Sequence, residues 1–119
     1  IRAPHGGRDN LPVMFWIHGG GNTSGHKDFY NFSELVKRKD VIVVTSNYRL
    51  GPLGFFTHPA IQDFNSGIDK TSNFGILDIV LALKWVNENI AALIAEQEEK
   101  RQKQLNKKFS SYNLQNMYK

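Results

Sequence analysis

Leu11-Pro-Val-Met-Phe-Trp-Ile-His-Gly-Gly-Gly21 is the stretch that decides the fold, because an almost continuous apolar run stops at three consecutive glycines. A short apolar run of this kind predicts a strand that is buried on both faces. Pro12 fits only near the start of that strand, because proline has no N–H group to donate to a neighbouring strand. The glycines end the strand, since neither a strand nor a helix tolerates three of them well.

The segments after the glycines predict a helix, a second strand and a longer helix. Asn31 is a candidate N-cap for the short helix, and the β-branched run Val41–Thr45 predicts the second buried strand. Glycine and proline predict a loop over Ser46–Gly54, and Asn73 is a candidate cap for the longer helix. The apolar residues of that helix recur with helical spacing at Ile76, Ile79, Val80, Leu83, Val86, Ile90, Leu93 and Ile94. This order of elements predicts an α/β fold with a mainly parallel sheet and flanking helices.

Charge divides the chain into two parts. Residues 1–95 contain nine Lys or Arg and eight Asp or Glu, a net charge of +1, whereas residues 96–119 contain six and three, a net charge of +3. The second part starts as a strongly helix-forming, almost fully polar segment without a sustained heptad pattern. We therefore expect one domain over residues 1–95 and a divergent basic helical tail over residues 96–119.

Composition excludes several classes of protein. With 40% hydrophobic residues in 119, the chain has the composition of a globular domain and not of a disordered one. No apolar run approaches the ~20 residues of a transmembrane helix, no signal peptide is recognisable, and no compartment is predicted. The absence of cysteine excludes disulfides and thiolate metal sites, and the four histidines do not have metal-ligand spacing. Because the first residue is Ile1 and not Met, we expect a fragment or a processed product.

The glycine triplet after a buried strand has three interpretations. Glycines let consecutive N–H groups point at one spot, where they stabilise the negative oxygen that develops during acyl transfer. Phosphate binding would instead require a P-loop Lys-Ser/Thr pair, or a Gly-x-Gly-x-x-Gly that opens directly into a helix, and neither is present. The third interpretation is a tight turn without a binding role. The triplet alone does not choose between an oxyanion hole and a tight turn.

Three blocks of sequence, taken together, favour the first interpretation. His18–Gly21 has the form of the oxyanion loop of lipases and esterases. Asn47–Phe56 follows the second strand, and Asn73–Asp78 is followed by Ala82–Val86. In this order and spacing, the blocks resemble the type B carboxylesterases, the cholinesterase-like branch of the α/β hydrolases. The resemblance covers residues 1–92 and implies carboxylic ester hydrolysis by serine-type acyl transfer.

The resemblance implies a role for each glycine of the triplet and for the histidine before them. Gly20 and Gly21 would offer backbone N–H groups to the oxyanion, and Gly19 would allow the bend. His18 would shape the loop and would not act as a base. Serine-type ester hydrolysis needs no metal or organic cofactor, and the ligand would be a small-molecule carboxylic ester.

Arg49 and Asp78 would give structural support. The resemblance implies that Arg49 fixes the end of the second strand together with Asn47 and Tyr48. We expect Arg49 and Asp78 to form a buried ion pair that ties the loop after the second strand to the long helix.

The sequence departs from the family pattern after Ala92. In the family, a Gly-Gly-Asp-Pro turn, a third strand and a Gly-x-Ser-x-Gly elbow follow the long helix, whereas Leu93–Gln97 follows it here. The nucleophile, the acid and the base are absent from this chain, so the resemblance implies a partial α/β-hydrolase fold that lacks the nucleophile strand. We expect a truncated carboxylesterase fragment that is inactive alone and marginally stable.

Two other interpretations are open. In the first, the chain is a catalytically dead α/β-hydrolase-like binding module, although such a module would need most of the sheet. In the second, the basic tail binds nucleic acid or an acidic partner. Phe109, Tyr112 and Tyr118 are the only aromatic residues of the tail and no recognised motif accompanies them, so we expect no nucleic-acid binding.

Overall fold

The computed structural model describes residues 1–5 and 10–117, with side chains described as far as residue 108. Tyr118, near the end of the predicted tail, and the side chains of Phe109 and Tyr112 lie outside this described part. The elements in chain order are β1 (Val13–Trp16), α1 (Ser33–Lys39), β2 (Ile42–Thr45), α2 (Gly51–Phe55), α3 (Pro59–Phe64), a 3-10 helix (Gly67–Thr71) and α4 (Phe74–Met117). Two strands with a helix between them therefore precede the long helix, as the sequence predicts.

The sheet consists of two parallel strands. β1 pairs with β2 in a register that sets Val13 opposite Ile42. The N-terminal segment adds an antiparallel bridge at the other edge of β2, where Arg2 and Val43 exchange both backbone hydrogen bonds at 2.8 Å. The predicted parallel arrangement with flanking helices is confirmed, and β2 lies between two neighbours.

The two strands differ in burial. Val43 in β2 is only 1% exposed, and the residues on either side of it are buried too. In β1, Val13 is 41% exposed and the other three residues are half-buried. The prediction that the first strand is buried on both faces is therefore wrong. The core centres on β2, and the described part of the chain places no strand along the far edge of β1.

The long helix α4 packs against β2 through one face. Val86 joins Ile42 and Val44 in the buried core, and Ile90 and Ile94 pack against that core as half-buried residues. These helix residues belong to the predicted apolar stripe. The stripe also contains the exposed residues Ile76, Val80 and Leu83. Only part of the stripe is therefore covered.

Beyond the core, α4 continues as a polar helix. Glu96 pairs with Lys100 at 2.5 Å, and Glu99 pairs with Lys103 at 2.6 Å, each four residues apart. Ion pairs with this spacing support an exposed helix. None of the helices in residues 1–5 and 10–117 is long and apolar enough to cross a membrane.

Two local predictions are wrong. Ser46–Gly54 is not entirely a loop, because the short helix α2 starts within it, and Pro52 lies in the first turn, where the fixed φ of proline suits a helix. Asn31 does not cap α1, whose N-cap is Phe32. The side-chain oxygen of Asn31 instead accepts a hydrogen bond from the N–H of Ser33 at 3.0 Å.

Exposed apolar side chains generate a prediction about stability. Phe64, at 92% exposed, is the extreme case, and Leu53, Phe29, Ile68 and Leu81 are also exposed. We predict that the isolated chain unfolds in a broad transition at low temperature and self-associates as its concentration rises. Calorimetry with light scattering checks this, and the control Phe64→Ser should reduce self-association without lowering the unfolding temperature. A cooperative transition above about 65 °C in a monomeric sample contradicts the prediction.

Candidate functional site

The glycine loop, which we define as residues 18–27, begins just after β1 and turns sharply. Its backbone has φ of +118° at Gly20 and +60° at Gly21. L side chains rarely adopt these values, so glycine suits both positions. The N–H groups of Thr23 and Ser24 each donate to the carbonyl oxygen of Gly20 at 3.1 Å. The turn is therefore closed by hydrogen bonds within the loop.

The bend falls one residue later than predicted. Gly19, which was expected to allow it, has no positive φ, and a Cβ added there would meet no atom within 4 Å. A Cβ added to Gly20 would collide with the backbone carbonyl group of Ser24. The positive φ therefore lies at Gly20, the residue whose carbonyl oxygen closes the turn, and the role of Gly19 in the oxyanion loop stays a prediction.

The N–H groups of Gly20 and Gly21 have no hydrogen-bond acceptor among the residues that the structure describes. Both residues are exposed. Successive unpaired N–H groups at a left-handed turn carry partial positive charge and suit an anionic oxygen. The loop therefore has two adjacent donors available to a ligand.

His18 directly precedes the glycines and is 3% exposed. Its ring stacks on Tyr48 with 4.6 Å between ring centres, and its Nδ1 lies 3.0 Å from the carbonyl oxygen of Gly19. Because a carbonyl oxygen only accepts, Nδ1 carries the proton in this contact. Nε2 is buried and has no hydrogen-bond partner within the described chain. The ring is therefore almost fully enclosed between the glycine loop and Tyr48.

Arg49 and Asp78 form an ion pair between the segment after β2 and α4. The Nη2 and Nε atoms of Arg49 donate to the two carboxylate oxygens of Asp78 at 2.7 and 2.8 Å. The backbone N–H of Arg49 donates to the same carboxylate at 2.9 Å, and the guanidinium lies 5.1 Å from the ring centre of Phe74. The side-chain hydrogen bond from Arg49 holds the pKa of Asp78 below its ordinary value.

This ion pair is not buried as predicted. The side chains of Arg49 and Asp78 are 51% and 26% exposed. The pair lies at the beginning of α4, away from the buried core around Val86, so water reaches the guanidinium. Its contribution to stability is therefore that of a well-oriented surface pair and not that of a desolvated one.

Two cavities flank the glycine turn. One of about 370 Å³ is lined by Gly20 together with the aromatic residues Trp16 and Tyr30. The other, of about 450 Å³, is lined by Gly21 and by Phe55. Across residues 1–5 and 10–117, no three His, Asp or Glu side chains are grouped so that they could hold a metal ion. The turn therefore separates two open, partly aromatic spaces.

The predicted site residues fall into two groups. His18–Gly21 lie together in the loop, whereas Arg49 and Asp78 lie at the beginning of α4, and no hydrogen bond joins the pair directly to the loop. Tyr48 contacts the loop directly, because its hydroxyl donates to the carbonyl oxygen of His18 at 3.1 Å. No sequence signal marks this contact, since its two residues are 30 positions apart.

Comparison with known proteins identifies the class of this chain. The model of the carboxylesterase family matches residues 1–98. The chain therefore belongs to the carboxylesterase family, and its two-stranded parallel sheet with helices is part of an α/β-hydrolase fold. The resemblance seen in the sequence blocks is confirmed.

Individual relatives agree with this assignment. The chain is 48% identical over 94 residues to para-nitrobenzyl esterase of Bacillus subtilis (strain 168), covering 77% of this chain and 18% of the relative. It is 50% identical over 82 residues to cocaine esterase of Oryctolagus cuniculus, covering 69% and 14%. It is 46% identical over 87 residues to fumonisin B1 esterase of Sphingopyxis macrogoltabida, covering 71% and 16%. The chain thus spans less than a fifth of the length of these relatives.

The glycine turn predicts unequal effects of two alanine substitutions. Gly20→Ala should lower the unfolding free energy by roughly 2 kcal/mol, because its φ is unfavourable for alanine and its Cβ collides with Ser24. The control Gly19→Ala should change it by less than about 0.5 kcal/mol, because its Cβ meets open space. Urea unfolding measures both values, and equal losses contradict the geometry of the turn.

The ion pair predicts a pH-dependent loss of stability. Arg49→Met should lower the unfolding free energy by about 1 kcal/mol at neutral pH, as expected of a well-oriented but half-exposed pair. Because the pKa of Asp78 is lower in the folded chain than the ordinary value of 3.8, the stabilisation is fully present at pH values above 3.8. It is lost as the pH falls through the folded pKa, so the difference between the two chains should shrink below pH 3.8.

Urea unfolding at neutral and acidic pH measures this difference, with Arg38→Met as the matched control. Arg38 is 78% exposed and lies 3.7 Å from Glu34, so its loss should have little effect at either pH. An Arg49→Met chain as stable as the unsubstituted one at neutral pH contradicts the supporting role of the pair.

Proposed function

We propose that this chain carries the oxyanion-hole part of a serine-type carboxylic ester hydrolase, with the N–H groups of Gly20 and Gly21 as donors. The observation that supports this most directly is the pair of unpaired N–H groups at a turn that requires glycine. Donors that are already oriented toward the oxygen that becomes negative lower the barrier of acyl transfer. His18 shapes the loop from behind, and Arg49 with Asp78 supports the segment beside it.

The same proposal explains what the chain would not do alone. The sequence contains no Gly-x-Ser-x-Gly elbow, and in this fold a third oxyanion donor comes from the residue after the nucleophilic serine. A chain without the nucleophile and its strand offers hydrogen-bond donors to an oxyanion, but it cannot form that oxyanion by attacking an ester. We therefore infer a truncated hydrolase domain over residues 1–95, inactive by itself, with residues 96–119 as a basic helical tail.

The substrates of the complete site are small-molecule carboxylic esters. The relatives are named as esterases of different compounds, and the match to the carboxylesterase family includes the glycine loop. The chemistry requires donors, a nucleophile and a base and no metal or organic cofactor. The two cavities beside the turn leave room for groups attached to a carbonyl carbon held there.

Anion binding tests the proposed donors in the chain as it exists. We predict that ethyl methylphosphonate, a stable tetrahedral monoanion, shifts the backbone amide NMR signals of Gly20 and Gly21 in a saturable way. The neutral diester diethyl methylphosphonate should shift them much less, because the donors favour negative charge. The amide of Gly51 is an internal control, because it already donates to Asn22 at 2.6 Å. Uniform shifts over the whole chain, or none, contradict the proposal.

An ester hydrolysis assay provides the second control. Para-nitrophenyl acetate should be hydrolysed no faster by the folded chain than by the heat-unfolded chain, because the nucleophile is missing. Ser24→Ala is the matched variant, since Ser24 is the serine beside the turn, with its Oγ 3.4 Å from the carbonyl oxygen of Gly20. Hydrolysis that disappears in Ser24→Ala contradicts the inferred inactivity. If ethyl methylphosphonate does not bind, the alternative interpretation of the chain as a catalytically dead binding module is favoured.

A further inference from the structure

One short segment, Asn47–Gly51, contacts the glycine loop at several points, and we call this segment the cradle. At the start of the loop, the buried hydroxyl of Tyr48 donates to the carbonyl oxygen of His18 at 3.1 Å. In the middle of the loop, the carbonyl oxygen of Asn22 accepts a hydrogen bond from the N–H of Gly51 at 2.6 Å. These two contacts lie on either side of the glycine turn.

The end of the loop is bonded to the cradle as well. The side-chain oxygen of Asn47 accepts a hydrogen bond from the N–H of Lys27 at 2.8 Å. The start, the middle and the end of the loop are therefore each joined to five consecutive residues. The hydrogen bonds that close the turn itself run from Thr23 and Ser24 to Gly20 and stay within the loop. The loop thus sets its own internal shape, whereas the cradle sets its direction relative to the sheet.

The cradle is in turn fixed to α4. Arg49 uses its backbone N–H and its guanidinium to donate three hydrogen bonds to Asp78. The carbonyl oxygen of Arg49 lies so close to Gly75 that a Cβ added there would be 2.6 Å from it. Moving the cradle away from α4 would break charge-assisted hydrogen bonds, which are stronger than neutral ones. The cradle is therefore a rigid support for the loop.

We propose that Tyr48 and Asn47 are positioning residues of the oxyanion loop, which set where the N–H groups of Gly20 and Gly21 point without touching the reacting ester. This inference rests on the proposed function for the purpose of the loop, and on the three cradle contacts for its geometry. Oxyanion donors act only when they lie at hydrogen-bond distance from the developing charge, so a small rotation of the loop weakens them.

The test uses the full chain labelled with ¹⁵N and three substitutions. Tyr48→Phe keeps the ring that stacks on His18 and removes only the hydroxyl. Asn47→Ala removes the acceptor for the N–H of Lys27, whereas Asn47→Asp keeps an oxygen there. We expect Tyr48→Phe and Asn47→Ala to shift the amide signals of Gly20 and Gly21 and to lower their heteronuclear NOE values. Asn47→Asp should restore signals close to those of the unsubstituted chain.

A packing variant separates positioning from general destabilisation. Ile79 is buried in α4 and its side chain has no polar atom, so Ile79→Val lowers stability without removing a hydrogen bond to the loop. Its glycine amide signals should stay in place. If Tyr48→Phe and Asn47→Ala lower stability as Ile79→Val does but leave the amides of Gly20 and Gly21 unmoved, the positioning role is overturned. If Tyr48→Phe does not fold, the exposed Asn47 pair of variants decides the question.

The phosphonate titration keeps this inference distinct from the proposed function. In Tyr48→Phe, ethyl methylphosphonate should bind about threefold more weakly, in line with the loss of one hydrogen bond that orients the donors. If the unsubstituted chain binds no phosphonate, the proposed function fails, while displaced glycine amides in the variants still support the positioning of the loop. If the chain binds phosphonate and all variants bind it equally, with unmoved amides, only the positioning role fails.

Discussion

Parallel pairing of β1 with β2 is the constraint on which the rest of the structure depends. In a parallel pair the carboxyl ends of both strands lie at the same end of the sheet, so the segments that follow the strands meet there. The glycine loop after β1 and the cradle after β2 therefore come into contact, although 30 positions separate His18 from Tyr48. An antiparallel pair would have placed these two segments at opposite ends of the sheet, and the loop would have had no contact with the cradle.

The unequal burial of the strands makes that support more important. β2 lies between β1 and the bridge at Arg2 and packs against α4, whereas β1 has one neighbour in the described chain and is half-exposed. The loop thus follows the strand that packing holds less firmly. Hydrogen bonds from the cradle hold the loop in place, and Arg49 and Asp78 connect the cradle to α4. The small share of its relatives that the chain spans is consistent with this incomplete layer.

Two kinds of polar contact serve different purposes around the loop. The Arg49–Asp78 pair is half-exposed and joins two elements of the fold, so it acts on stability. The N–H groups of Gly20 and Gly21 add no hydrogen bond to the fold, because no residue in the described part of the chain accepts from them. Both residues are exposed, so these N–H groups are accessible to water or to an anionic oxygen. The contacts that hold the loop are thus distinct from the two N–H groups that we propose as oxyanion donors.

The sequence by itself determined the two strands and the long helix, and it predicted the chemistry of the loop. Local apolar runs predicted both strands, the apolar stripe predicted α4, and the block His18–Gly21 indicated an oxyanion loop, because these signals lie within a few neighbouring residues. Tertiary structure decided that the bend falls at Gly20 and not at Gly19, and that Tyr48 contacts the loop. It also decided that β1 and the Arg49–Asp78 pair are half-exposed. Burial and long-range hydrogen bonds depend on residues that are distant in sequence, and no local pattern contains them.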